Sequence, residues 1–162
     1  MNDPEMETQK SCPECSAAWE HGVTCQDHFH QMLFWESENP DNGAVHHLMV
    51  LCYHLQHPSL YSPEGLRYSV QLLADFLERG LSTEQVRKRS SAGLGSDRRA
   101  WKVKAGPASS ASYKYPVQWS LTAADVVAGG AEGYCERVRE WARSVHAAVR
   151  SSGNFPAQGG AA

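Results

Sequence analysis

Four cysteines and seven of the eight histidines of this chain lie between residues 12 and 57. Cys12-Pro-Glu-Cys15 is a CxxC knuckle, whose tight turn lets two thiolates reach one ion. Cys25 follows ten residues after Cys15 and His28 three after that. Soft sulfur with one imidazole is the donor set of a tetrahedral zinc site, so Cys12, Cys15, Cys25 and His28 scan as a complete local centre. Metal-free burial or thiol redox chemistry is the competing use of such cysteines. Farther on, Val45-His46-His47 and Tyr53-His54-Leu55-Gln56-His57-Pro58 supply more imidazoles.

The elements that position these side chains can be read from hydrophobic spacing. A helix is expected over about 25–37, with Phe29, Met32, Leu33 and Glu36 recurring at three and four residues. Thr24 suits its N-cap, and Asp27 falls in the first turn, where a carboxylate complements the helix dipole. Asn39-Pro-Asp-Asn-Gly43 reads as a turn. A second helix is expected over about 44–57, with Val45, Leu48, Cys52 and Leu55 on one stripe and His46, Val50, Tyr53 and His57 on the next. Pro58 stops it.

Two helices joined by a short turn pack antiparallel, so residues equidistant from the turn become neighbours. Each helix spans roughly 18–20 Å at 1.5 Å per residue. Cys25 then falls beside His57, and Glu36 near His46. This geometry admits a second ligand set, Cys12, Cys15, Cys25 and His57, in which the knuckle clamps the helical hairpin. His28, one turn from Cys25, remains eligible.

Cys-Pro-x-Cys, a later cysteine at a helix start, and Val45-His46-x-Leu48-x-Val50-x-x-Tyr53-x-x-Gln56-His57-Pro58 resemble a bacterial family of domains of unknown function. The likeness covers roughly residues 12–80. It carries over Cys12, Cys15, Cys25, His46, Tyr53, Gln56 and His57 but not His28, and so implies His57 as the fourth ligand. Ser16 stands where the family pattern usually has glycine, and Leu51 where part of the family has an acidic residue. The family brings no established activity.

Other residues have plainer readings. A polar contact with Glu36 suits His46. His47 and His54 lie seven apart on one helix face and read as surface histidines; with His30, and Asp27 nearby, they are also the candidates for a catalytic divalent metal in a helical bundle. Gln56 would satisfy backbone groups at its helix end. Cys52 and Cys135 fit core packing.

The rest of the chain builds the bundle. A third helix is expected over 63–79, with Pro63 in its first turn, Gly80 at its end, and Leu66, Val70, Leu73, Phe76 and Leu77 buried. Ser82-Thr-Glu-Gln85 opens a short fourth helix. Residues 90–118 are rich in Ser, Gly and Ala, with extended pieces at Trp101–Lys104 and Tyr113–Trp119 that could form a short hairpin. Thr122-Ala-Ala-Asp125 begins the last helical region, Gly129-Gly130 breaks it, and a final helix over 131–150 buries Tyr134, Val138, Trp141, Val145 and Val149. The expected fold is mainly α: one domain over 11–150 of four or five helices with an N-terminal metal knuckle. Residues 1–10 and the Gly/Ala-rich 151–162 are expected to be disordered.

The 162 residues are 41% hydrophobic, enough for one core, and carry a net charge of −3. Residues 1–44 hold nine acidic side chains against Lys10, whereas residues 87–104 hold seven basic ones against Asp97. The basic segment reads as a solvated loop or as a site for an anionic ligand. Overall negative charge and the lack of a recognition helix speak against nucleic acid. No apolar run approaches a membrane span, and the polar start MNDPEMETQK is unlike a secretion signal. An odd cysteine count with one CxxC suits the reducing cytoplasm and metal binding. The resulting expectation is a cytoplasmic protein with a structural Zn2+ and no assigned reaction. A histidine-cluster hydrolase or transferase and a partner-binding module are the alternatives.

Overall fold

Residues 10–80, Gln85 and residues 110–155 are described by a computed structural model. Thr24 and Asp27 start α1, Cys25–Glu38. The Thr24 hydroxyl accepts from the Asp27 amide at 3.2 Å, and the Asp27 carboxylate accepts from the Thr24 amide at 2.9 Å. This reciprocal capping satisfies two amides that the helix leaves open. Pro40 pushes Asn39 into an extended conformation and ends the helix. The expected turn is then wound as a 3-10 helix, Pro40–Val45, capped by the Asn39 side chain. It delays α2, His46–Leu55, by two residues relative to expectation.

Pro58 forces His57 out of helical geometry, and a 3-10 turn, Pro58–Leu60, follows. Ser62 caps α3, Pro63–Arg79, and Gly80 closes it at φ 65°, the left-handed conformation that glycine adopts without strain. Asp125 receives the Thr122 amide at 2.8 Å to start α4, Ala123–Ala128. After the Gly129-Gly130 break comes α5, Tyr134–Ser152. It runs two residues beyond its expected end. Asn154 then exchanges hydrogen bonds with Tyr115 through both its side-chain atoms, at 2.8 and 2.9 Å.

The chain is thus mainly α, one domain with five α-helices and no strand among the described residues, and a cysteine cluster at its N-terminal end. The core forms where α5 packs on α2 and α3, while α1 packs on α4. All five stripe residues expected on α5 are buried, as are Leu48, Cys52 and Leu55 on α2 and Val45 just before it. Each large apolar side chain so buried contributes about 1.5–3 kcal/mol. On α3, Leu66 and Leu73 are buried, and Val70, Phe76 and Leu77 pack half-buried against the same core.

Tyr113–Trp119 is irregular rather than extended in a strand. Its groups are engaged elsewhere: the Tyr113 hydroxyl donates to the Leu55 carbonyl at 2.5 Å, and Trp119 meets Tyr113 edge-on. The partner piece Trp101–Lys104, the basic segment 87–104, and both expected disordered ends, apart from Lys10 and residues 151–155, lie outside the described residues. Of the helix expected from Ser82, only Gln85 lies within them. No helix among the described residues is long and apolar enough to cross a membrane.

Candidate metal centre

The knuckle folds because its sulfur accepts backbone hydrogen bonds. The Cys12 Sγ receives the amides of Glu14 and Cys15, each at 3.4 Å. The Ser16 amide returns to the Cys12 carbonyl at 2.9 Å, and the Cys12 amide donates to Ala17 at 2.9 Å. Ser16 adopts φ 66° to close this turn. That is why glycine suits the position; an L-residue there costs roughly 1–2 kcal/mol.

The capped start of α1 delivers Cys25 to the knuckle. Its Sγ lies 3.6 Å from the Cys15 Sγ and accepts the Trp19 indole N–H at 3.3 Å. The break at Pro58 delivers His57 from the other side. Its Nδ1–H donates to the Tyr53 carbonyl at 2.6 Å, so Nε2 is the nitrogen left to hold a metal. Nε2 is buried and has no hydrogen-bond partner. One donor atom from each of Cys12, Cys15, Cys25 and His57 lies within 4.8 Å of the other three, and all four residues are buried. A tetrahedral zinc with bonds of about 2.3 Å requires sulfurs about 3.8 Å apart. The donor set and its spacing therefore fit a zinc ion.

The family of unknown function DUF5946 matches residues 10–150. This chain belongs to that family. No curated protein and no solved structure matches it.

Protonation within this DUF5946 cluster explains why it suits a cation. Thiol hydrogen bonds from Cys15 and Cys25 hold Cys12 far below its ordinary value, and the same contacts with Cys12 and Cys25 hold Cys15 far above it. Burial disfavours charge on His57, yet the adjoining Cys12 and Cys25 outweigh it and raise the imidazole to about 10. With no cation the buried group therefore shares its protons among the sulfurs and the His57 ring. A divalent cation can replace those protons and offset most of the thiolate charge. Three sulfurs and one nitrogen fill a tetrahedron and leave no position for water.

A contact that the sequence did not reveal secures the cluster from outside. The Glu14 carboxylate accepts from the Ser59 amide and the Ser59 hydroxyl, both at 3.0 Å. This ties the middle of the knuckle to the turn just after His57.

The other histidines are dispersed. His28 is half-buried on α1 outside the four-residue group. His30 is exposed. His54 stands against Phe29, Tyr53 and Tyr61, and burial lowers it to about 4. His47 meets the ring of His46 at 5.4 Å. Among the described residues, His30, His47 and His54 do not converge into a metal-holding group, with or without Asp27.

His46 does reach Glu36, Nδ1 to Oε1 at 2.6 Å, and the Tyr134 hydroxyl donates to the other oxygen of that carboxylate. Gln56 departs from expectation. It is fully buried and serves distant groups rather than its own helix end, donating to the Leu121 carbonyl at 2.7 Å and accepting the Trp141 indole N–H at 3.2 Å. Cys52 packs in the core, where burial raises its thiol.

Proposed function

We propose that this chain is a zinc-binding helical protein in which Cys12, Cys15, Cys25 and His57 hold one structural Zn2+. The observation that carries the reading is the convergence of three sulfurs and the Nε2 nitrogen of His57 within 4.8 Å in a buried site. Thiolates donate enough charge to blunt the Lewis acidity of zinc, and a four-ligand shell admits no substrate, so the ion is a staple. It joins the knuckle, the start of α1 and the end of α2. Because these ligands are scattered in the unfolded chain, metal binding adds directly to folding. The cysteines among the described residues are unpaired, which suits a reducing compartment such as the cytoplasm.

Chelation tests the reading. A strong chelator should abolish the cooperative thermal transition and most of the helical circular dichroism, and added zinc should restore both. Full helical signal and an unchanged thermal midpoint in metal-free protein would overturn it.

A further inference from the structure

Each residue of the metal centre has a hydrogen-bond partner besides the other three donor atoms. The Glu14 and Cys15 amides donate to the Cys12 Sγ, the Ala17 backbone hydrogen-bonds Cys15, and the Tyr53 carbonyl holds His57. All of these are main-chain groups, present whatever side chains stand at those positions. Cys25 differs. It opens α1, and the cap there joins Thr24 and Asp27 to each other rather than to the sulfur. The N–H that reaches the Cys25 Sγ comes from the side chain of Trp19, at 3.3 Å.

The backbone around the knuckle places that indole. The Trp19 amide donates to the Lys10 carbonyl at 2.7 Å, and an antiparallel bridge pairs Ser11 with Ala18. The chain leaving the knuckle is thereby folded back on the chain entering it. The turn Glu20–Gly22, closed by the Val23 amide on the Glu20 carbonyl at 3.1 Å, then leads to Thr24 and Cys25. The indole packs partly buried against the core. Its N–H is a donor only, and a thiolate is a stronger acceptor than a thiol, so this contact favours the charged, metal-binding form of Cys25.

We propose that Trp19 is a positioning residue of the metal centre: its indole N–H orients the Cys25 sulfur toward the ion and draws off part of the thiolate charge. The inference rests on the zinc reading and deepens it, because the grip of one ligand then depends on a replaceable side chain. Partners of this kind orient metal ligands, and losing one typically costs about 10–100-fold in affinity. A hydrogen bond to sulfur also lowers the energy of its lone pair, which moves sulfur-to-metal charge transfer to higher energy.

The test uses the full chain loaded with cobalt(II), whose sulfur-to-metal band reads the thiolates directly, and with cadmium-113 for NMR. In the parent chain, cadmium should couple to the Trp19 indole proton through the N–H···S bond, as well as to the cysteine β-protons. Trp19→Phe keeps an aromatic ring and removes the donor. It should weaken zinc by about ten-fold or more and shift the cobalt band to lower energy. A packing role alone would lower stability and leave the band in place. Where Trp19→Phe fails to fold, the cadmium coupling in the parent chain decides. An unmoved band in Trp19→Phe, or cadmium coupled to the cysteine protons but not to the indole, would overturn the proposal and leave the zinc reading standing. A parent chain whose cobalt spectrum lacks sulfur bands would overturn both.

Discussion

The α1–α2 hairpin is closed at both of its ends, and the two closures differ in kind. At one end Cys25 and His57 meet over the knuckle. At the other, Glu36 receives His46 and the Tyr134 hydroxyl. One geometric cause produces both, since antiparallel packing pairs residues equidistant from the turn. The chemistry then diverges. Glu36 offers two acceptor oxygens to two donors, so that end is satisfied by its own hydrogen bonds. The knuckle end gathers three sulfurs and an imidazole, each able to give an electron pair, within 4.8 Å of one another. A pair of matching donors and acceptors closes itself, whereas a surplus of donor lone pairs calls for a cation.

The largest effect should come from removing a sulfur. Cys25→Ser should lose tight zinc binding and drop stability by about 3–5 kcal/mol or abolish folding, read by denaturant unfolding and metal content. The opposite end gives the contrast. Glu36→Leu leaves the buried Tyr134 hydroxyl and the His46 N–H without their acceptor, and should cost about 2–3 kcal/mol while the zinc content stays unchanged. Loss of zinc in that variant would mean that the two ends are one coupled unit.

A pH series sharpens the comparison further. His54 sits between the two ends and is held near 4 in the folded chain, against 6.5 ordinarily. The unfolded chain therefore binds more protons between these values. Stability from His54 is complete above about 6.5 and falls as pH drops toward 4, by at most about 1.4 kcal/mol per unit. His54→Phe should flatten that limb relative to the parent chain. Both proteins share the acid sensitivity of the metal site, so the difference isolates His54. Identical slopes would show that burial does not hold the ring neutral.

The smallest effect belongs to the outer tie. Glu14→Ala removes the bond to Ser59 and should cost about 1 kcal/mol, with zinc released faster to a competing chelator but still bound at equilibrium. An unchanged release rate would mean that the knuckle is rigid without it.

Much of this was legible because its causes are local or periodic. Thr24 and Asp27 mark the start of α1, and apolar spacing marks the buried face of α5 down to Val149. Two short helices and a turn then bring Cys25 to His57 and Glu36 to His46 by arithmetic alone. Other features had no local signal. Gln56 finds its partners 65 and 85 residues away, where only tertiary packing decides. Arg137 reaches back to the carbonyls of Val126, Gly130 and Glu132, closing the break after α4. No spacing rule marks it out from the other arginines of α5.

X-ray absorption at the zinc edge, with elemental analysis of protein purified without added metal, tests the central claim most directly. The account predicts one zinc per chain with three sulfurs at about 2.3 Å and one nitrogen at about 2.0–2.1 Å. A shell of nitrogen and oxygen without sulfur, a second metal per chain, or no retained metal would contradict it.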